Sequence, residues 1–343
     1  MSTPEIVSSE AKPTRLKRFI LRLAIIISML AIVAALAGYL FAYSLLSQRG
    51  PHTAPIIIEI ERGDGRFTIK HKLQQAGVIS HPLHLDFVVF LEPEGFKPRA
   101  GEYKIPAGAS LAQIISLLNS GKTYQRRITI IEGWRSYDVM LALNEAEGLS
   151  SVILRPPPEG SVFPDTYYYT KGMDRREILA MMQEKMEIML AQNWATRQEN
   201  LPYGSPRDLL IMASIIEKET GRAEERGLVS GVFVNRLRKK MRLQSDPTVA
   251  YGLAGDSALP TQLTKKDLND PHSWNTYRRQ GLPVGPIANP GADALQAAAN
   301  PEETENLYFV ADGKGGHNFA KTLDVHNLNV RTYRKLKSQE QLK

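Results

Sequence analysis

The sequence predicts an α+β protein with a single N-terminal transmembrane helix, a small α+β module and a larger mixed α+β domain. Three observations lead to this fold class. The first is a 24-residue run without a charged side chain, residues 23–46. The second is a series of short strand and helix patterns within residues 47–125. The third is a change near Gln125, after which longer amphipathic helices alternate with short β-rich segments.

The uncharged run is long enough to cross the roughly 30 Å hydrocarbon core of a bilayer as a helix. Residues 1–22, which precede it, carry a net charge of +3. The positive-inside rule then predicts a cytoplasmic tail over residues 1–22, a transmembrane helix over residues 23–46 and an extracytoplasmic location after about Gln48. A cleaved signal peptide is the alternative, but this run is longer than the apolar region of such a peptide. We therefore expect a single-pass protein of the inner (plasma) membrane.

The positive charge of the chain lies at its two ends. Residues 331–343 carry a net +4, and together with residues 1–22 they account for the whole formal charge of +7. Residues 23–330 are therefore neutral overall, whereas a nucleic-acid-binding protein needs a clustered basic surface. The sequence predicts no nucleic-acid partner. It also lacks cysteine, which excludes disulfides, a cysteine nucleophile and thiolate metal ligands.

Residues 47–125 are expected to form a linker and then the small module. Residues 56–60 are typical of a strand, and residues 67–76 predict a helix that stops at Gly77. A similar helical pattern recurs 44 residues later and stops at Gly121. We interpret this as a weak internal repeat, in which Phe67 and Leu73 correspond to Leu111 and Leu117.

Residues 126–343 are expected to form the larger domain. Strand and helix patterns follow at residues 127–131 and 136–147, and a long amphipathic helix is predicted at residues 175–194. Between the patterns at residues 136–147 and 175–194, Asp165 stands two residues after Phe163 and two residues before three consecutive tyrosines. Aromatic faces stack on sugar rings and carboxylates accept hydroxyl protons, so this segment suits a sugar. The alternative is a buried aromatic strand whose Asp165 caps a turn.

The next helix carries the candidate acid. Ser205-Pro-Arg-Asp208 is typical of a helix start, and the helix should run to Thr220. Glu217 and Glu219 are about 200° apart around its axis, so they cannot both face one substrate. Glu217 borders the apolar stripe, where burial should raise the pKa of its carboxyl group and suit it to general acid catalysis. Glu219 is expected farther round, toward Lys218, and the alternative for an unplaced glutamate is a solvated salt-bridge partner.

Polar residues beyond this helix are candidates for holding a substrate. Asn235 ends a stripe with Gly227 and Gly231, where it could hydrogen-bond an acetamido group; helix packing is the alternative for the glycines. Asp246 is expected on a turn outside any helix, because Pro247 follows it. We place Gln244, Thr248 and Tyr251 on the same loop and turn.

The two C-terminal histidines, His317 and His326, are nine residues apart. This could suggest a metal, but no third ligand stands at a convincing spacing. We expect neither a metal nor another cofactor.

Residues 213–220, with Asn235-Arg-Leu237 and residues 241–252 after them, resemble the signature of the YceG-like family of endolytic murein transglycosylases. The resemblance implies a membrane-anchored lyase that cuts nascent peptidoglycan strands, terminates glycan elongation and associates with peptidoglycan synthases. It places the catalytic glutamate at Glu217. Residues 47–125 also resemble the family's LysM-like module, which would bind glycan N-acetyl groups. The alternative for this module is a spacer without a ligand. Further matching segments are residues 163–166, Asn275-Thr-Tyr277 and residues 281–291.

The resemblance also implies the reaction. One carboxyl group protonates the glycosidic oxygen between N-acetylmuramic acid and N-acetylglucosamine, and then takes the proton of the muramic C6 hydroxyl. That hydroxyl closes on C1 and leaves a 1,6-anhydro end. Two alternatives remain: a muramidase with a second carboxylate, and a non-catalytic wall-binding protein. The predicted substrate-binding residues are Asp165, Asn235, Gln244, Asp246, Tyr251, Asn275, Tyr277 and His317.

Overall fold

The structure, a computed structural model, describes residues 15–91, 95–255 and 257–340. The first 14 residues of the predicted cytoplasmic tail lie outside the described residues. The chain divides into two compact units, one up to Tyr124 and the other from Gln125 onward.

The described chain begins with a 33-residue helix, α1 (Arg15–Ser47). It starts before the uncharged run, because residues 15–22 contain no Pro or Gly that would break the helix. Its large apolar side chains are exposed on all sides, and Ala42 is its buried residue. A helix that is apolar all round and uncovered is typical of a membrane span. Among the described residues, α1 is the one helix that is long and apolar enough to cross a membrane, which is consistent with single-pass anchoring.

The rest of the first unit is a β-α-α-β module with one further helix. Its two strands pair antiparallel, with Ile58 opposite Tyr103, and both residues lie in the core. The second of its helices in chain order, α3, is an element that the sequence analysis did not predict. The elements are β1 (Ile56–Ile60), α2 (Arg66–Gln75), α3 (Pro82–Leu91), β2 (Gly101–Ile105) and α4 (Leu111–Ser120).

The predicted internal repeat is only partly supported. Both helices form, and both glycine stops adopt left-handed backbone, with φ of 68° at Gly77 and 70° at Gly121. However, Phe67 is 69% exposed while its counterpart Leu111 is 6% exposed. The two helices also occupy different places, since α2 lies between the strands in sequence and α4 follows the second strand. They are therefore not equivalent copies.

The second unit is built from seven helices and four short strands among the described residues. The strands form two antiparallel pairs, β3 with β4 and β5 with β6. The elements are β3 (Arg126–Thr129), α5 (Ser136–Glu145), β4 (Thr166–Tyr169), α6 (Arg175–Ala195), α7 (Pro206–Glu219), α8 (Ala223–Arg238), α9 (Asp246–Ala254), α10 (Ala292–Ala299), β5 (Tyr308–Ala311), β6 (His317–Ala320) and α11 (Leu323–Glu340).

Helix α7 lies at the centre of this unit. Leu209, Met212 and Ile216 on it are fully buried, and α6, α8 and α10 pack around it. Helix α10 presents small side chains, Ala294 and Ala298 among them, that are also fully buried and allow a close approach. Because α7 is held on several sides, the direction of each side chain at its C-terminal end is fixed.

The predicted loop and turn around Asp246 are partly wrong. Asp246, Thr248 and Tyr251 lie in a helix, since α9 begins at Asp246 with Pro247 in its first turn and continues to Ala254. Proline is accepted there because the first N–H groups of a helix have no intrahelical partner. Asp246 is therefore held at a helix start.

Candidate functional site

The C-terminal end of α7 presents three charged residues in succession. Ser205 caps the start of the helix, accepting a hydrogen bond from the Asp208 N–H at 3.2 Å, as the sequence predicts. The helix ends at Glu219. Since consecutive residues are about 100° apart around the axis, Glu217, Lys218 and Glu219 enter three different environments.

Glu217 lies in a buried, fully occupied position. Its side chain is 6% exposed; its Oε2 accepts a hydrogen bond from the Gly291 N–H at 2.9 Å, and its Oε1 lies 3.6 Å from Arg226 Nη2. Burial raises the pKa of Glu217, the Gly291 N–H and Arg226 oppose this rise, and Glu132 adds to it. Arg226 also pairs with Asp293 at 2.9 Å. Glu217 thus ties the start of α10 to α7 and α8.

Glu219 enters a different group of polar residues. Burial raises the pKa of its carboxyl group to about 7, the nearby Asp246 carboxylate adds to the rise, and Ser245, His317 and Arg236 oppose it. Ser245 is 2% exposed. Among the described residues its Oγ has no hydrogen-bond partner in good geometry, yet it is close enough to Glu219 to lower its pKa. A carboxyl group with a pKa near 7 can both give and take a proton at neutral pH.

His317 is held in place by a second carboxylate. Its Nδ1 lies 2.7 Å from Glu225 Oε2, and its backbone N–H donates to Glu225 Oε1 at 3.0 Å. Phe309 and Phe319 lie beside the ring, with centroids at 5.3 and 6.3 Å. This arrangement fixes the imidazole orientation and leaves Nε2 as the ring nitrogen for another partner.

Asp246 is oriented by Tyr277, whose hydroxyl donates to Asp246 Oδ1 at 2.5 Å. Burial raises the pKa of Tyr277, so the hydroxyl stays protonated and remains a donor. The neighbouring Thr276 fixes the backbone before Asp246, because its Oγ1 accepts from the Ser245 N–H at 3.0 Å and its carbonyl accepts from the Gln244 N–H at 3.2 Å. Gln244 has a φ of 52°, an uncommon conformation for a residue other than glycine.

A cleft of about 480 Å³ adjoins Asp246 and Lys218. Tyr251 lies on its wall, where its hydroxyl donates to the partly buried Glu159 at 3.0 Å and its ring lies 5.6 Å from that of Trp274. Concave sites with an aromatic wall and a few fixed polar groups are typical of ligand binding. The remaining lining residues are Pro247, Ala250, Leu259, Pro260, Thr261, Gln262, Leu263 and Ile287.

Asn235 and Asn275, both predicted as substrate ligands, hydrogen-bond to the backbone of nearby loops. Asn235 Nδ2 donates to the carbonyls of Thr304 and Asn306 at 2.6 and 3.2 Å. Asn275 is fully buried; its Nδ2 donates to the Asp270 carbonyl at 2.6 Å, and its Oδ1 accepts from the Tyr277 N–H. Their amides are engaged by the protein's own backbone, so neither enters the site that we consider below.

The glycines before Asn235 have the packing role that the sequence analysis gave as the alternative. A Cβ at Gly231 would collide with the Glu302 carbonyl, and one at Gly227 would contact the Glu302 side chain. Glycine therefore lets the segment around residue 302 approach α8.

Asp165 is likewise a turn residue in the structure. It forms an ion pair with Lys185 on α6 and accepts a hydrogen bond from the Thr166 N–H at 2.6 Å. The Lys185 hydrogen bond lowers the pKa of its carboxyl group. The structure does not bring Asp165 into the group around Glu219.

Three residues of this group were not predicted. Ser245 and Arg236 both stand inside segments that carry the family resemblance. Their positions next to predicted substrate ligands could have marked them as site residues. Arg236 is buried and donates to the Leu307 and Leu243 carbonyls at 2.6 Å each. The role of Glu225 could not be predicted from its local sequence, because its partner His317 is 92 residues away in the chain.

Comparison with known proteins assigns a family. Residues 58–332 match the family model described as the YceG-like family. A Bacillus subtilis protein named endolytic murein transglycosylase is 30% identical over 336 residues, which cover 88% of this chain and 92% of that protein. A Streptococcus pneumoniae protein of the same name is 26% identical over 360 residues, which cover 90% of this chain and 64% of that longer protein.

A solved structure agrees with these matches. The crystal structure of a YceG-like protein from Listeria monocytogenes superposes with a TM-score of 0.52 at 29% identity, covering 80% of this chain and 98% of that one. The family match and the relatives extend over most of the chain, including α7 and the residues around its end. This chain belongs to the YceG-like family.

Proposed function

We propose that this protein is an endolytic lytic transglycosylase. It cuts the bond between N-acetylmuramic acid and N-acetylglucosamine in nascent peptidoglycan strands, leaves 1,6-anhydro ends and so terminates glycan elongation. Family membership and the names of its relatives support this activity. The observation that carries the chemistry is a single carboxyl group, Glu219, with a pKa of about 7 among fixed polar groups.

Glu219 fits the role of general acid and base better than Glu217. Both oxygens of Glu217 are engaged, one by the Gly291 N–H and the other by Arg226. Glu219 instead shares its surroundings with Asp246 and His317, two of the predicted substrate-binding residues. The expectation for Glu217 followed both from its place beside the apolar stripe of the helix and from the resemblance. A pair of matched variants distinguishes the two residues.

In the proposed first step, the protonated Glu219 gives its proton to the glycosidic oxygen as the bond from that oxygen to C1 breaks. The sugar ring then carries positive charge, which the nearby Asp246 carboxylate stabilises. Tyr277 holds Asp246 in one orientation through its hydroxyl. This preorganisation means that the carboxylate does not have to reorient as the charge develops.

In the second step, the Glu219 carboxylate takes the proton of the muramic C6 hydroxyl. The C6 oxygen forms a bond to C1, which closes the 1,6-anhydro ring and returns Glu219 to its protonated form. No water is consumed. A pKa near 7 suits both halves of this cycle, since the group must act as an acid and then as a base.

The experiment is product analysis of purified full-length protein acting on uncrosslinked peptidoglycan strands. Mass spectrometry should find 1,6-anhydromuramic ends, in fragments from the middle of strands as well as from their termini. Reducing muramic ends alone would mean hydrolysis, with Asp246 as the second carboxylate. The names of the relatives do not favour that alternative.

For location, we propose that α1 anchors the protein in the plasma membrane with the N-terminus in the cytoplasm. The basic residues before the apolar run support this orientation. A reporter fused after the last residue should be active only in an extracytoplasmic assay, and activity of a cytoplasmic reporter there would contradict it. The resemblance also supports glycan binding by the β-α-α-β module and association with peptidoglycan synthases.

A further inference from the structure

Helix α3 carries an apolar stripe that the module does not bury. Leu85, Val88 and Val89 face the core of the module, whereas Leu83 is 60% exposed and Phe90 is 78% exposed. These two exposed residues are seven positions apart, so they lie on one face of the helix. Large apolar side chains in a row on an exposed helix face indicate a contact surface.

The middle of this stripe contacts the predicted membrane helix. Phe87 lies between Leu83 and Phe90 on the same face, and its ring packs edge-on against Phe41 of α1, with centroids 5.7 Å apart. Phe41 stands five residues before the end of the uncharged run, about 7.5 Å along the helix axis. The exposed ends of the stripe therefore flank α1 at the depth where it leaves the hydrocarbon.

An apolar cleft continues this surface. It has a volume of about 580 Å³ and includes Leu46 from the end of α1, Val89 from α3 and Ile115 from α4. It thus lies where these three helices meet, next to the same end of the membrane span. Contact with lipid at this level would cover the cleft as well as the stripe.

The charges within and before α3 fit an interfacial position, and two acidic residues, Glu92 and Glu94, follow the helix in the sequence. Asp86 is paired with Lys70 at 2.5 Å, so the helix presents little uncompensated charge. His81 and His84 lie at its N-terminal end, with ring centroids 6.0 Å apart, and Arg49 stands two residues after the end of the membrane helix. Polar and basic groups at this level can meet lipid headgroups while the apolar stripe enters the acyl region.

We propose that α3 is an interfacial helix, which docks the β-α-α-β module onto the bilayer with Leu83 and Phe90 inserted among the lipids. The leaflet is the one at the C-terminal end of α1. The inference rests on the proposed anchoring by α1. Such docking holds the module against the membrane surface instead of leaving it free to move on its anchor.

The absence of cysteine from the chain makes a direct test available. Single cysteines replace Phe90 and Leu83 in the full-length protein, carry an environment-sensitive fluorophore and are compared in lipid nanodiscs. We expect blue-shifted emission, quenching by nitroxide-labelled lipids and protection from aqueous iodide. Ile57→Cys is the matched control, because Ile57 alternates with the core residue Ile58 and so lies on the opposite face of β1; its label should be quenched by iodide.

A label on Leu30→Cys in α1 tests the membrane anchor separately from the docking of α3. Lipid quenching at position 30 but not at position 90 would overturn the docking and leave the anchor intact. A label at position 90 that neither quencher reaches would also overturn it, since the stripe would then be covered by protein. No lipid quenching at either position would contradict the anchor itself.

Discussion

The two glutamates at the end of α7 are separated by one residue and occupy contrasting surroundings. Glu217 is clamped between the Gly291 N–H and the Arg226 guanidinium. Burial raises the pKa of Glu219 to about 7, against the opposing influence of Ser245, His317 and Arg236. The contrast teaches that burial alone does not identify a catalytic acid, since it raises the pKa of both groups. What distinguishes them is their partners, since Glu217 meets the Gly291 N–H and Arg226, whereas Glu219 lies near Asp246 and His317, two of the predicted substrate-binding residues.

The largest expected effect is that of Glu219→Gln. Glutamine keeps the size of the side chain but cannot deliver a proton, so activity should fall by a factor on the order of 10² or more. The rate of anhydro-end formation by mass spectrometry measures this loss. Thermal unfolding of the variant should show an intact fold.

Glu217→Gln should mainly affect stability. The amide oxygen can still accept from the Gly291 N–H, but Arg226 loses one of its carboxylate partners and keeps Asp293. We expect a loss of about 1–3 kcal/mol in the free energy of unfolding, with a fall in activity of less than about tenfold. Denaturant unfolding and the same product assay check both. A loss of activity as large as that of Glu219→Gln would return Glu217 to the catalytic role.

The pH dependence of stability offers an independent comparison. Burial raises the pKa of Glu219 from 4.5 to about 7, so between these values the folded protein binds more protons than the unfolded chain. The contribution of Glu219 to the free energy of unfolding is therefore full below about pH 4.5 and is lost as the pH rises toward 7. The unfolding free energy of wild type minus that of Glu219→Gln should therefore decrease as the pH rises from about 4.5 to 7. A difference that does not change with pH would contradict the raised pKa.

Glu225→Gln should shift the pH profile with only a modest effect on the maximal rate. Glu225 holds His317 in one orientation through the 2.7 Å contact between Glu225 Oε2 and His317 Nδ1, and His317 in turn lowers the pKa of Glu219. Weakening that pair should raise the Glu219 pKa and move the alkaline fall in activity to higher pH. A fall in rate at all pH values without a shift would indicate a merely structural role.

The smallest effect on activity is expected from Asn235→Ala. The substitution leaves the Thr304 and Asn306 carbonyls without their donor, which should cost about 1–3 kcal/mol of stability. The maximal rate and the apparent substrate affinity at low temperature should remain near those of wild type. A selective loss of substrate affinity would support the original prediction that Asn235 binds an acetamido group.

Local sequence signals predicted much of the scaffold of this site. Ser205 and Pro206 marked the start of α7, and its apolar stripe correctly indicated a buried helix. The same geometry separated Glu217 from Glu219 but could not show which one meets the polar group. That depends on contacts between distant segments, such as Glu225 with His317 and Tyr277 with Asp246. Helix α3 was missed because its nearly continuous apolar sequence lacks a helical period.

The most direct test of the account is a paired rate measurement. Glu219→Gln and Glu217→Gln, both checked for folding, act on the same peptidoglycan strands, and the initial rates of 1,6-anhydro end formation are compared. We predict that the Glu217→Gln protein is faster by about tenfold or more, because only Glu219 transfers the proton. A Glu219→Gln protein that is as fast as, or faster than, the Glu217→Gln protein would contradict the account.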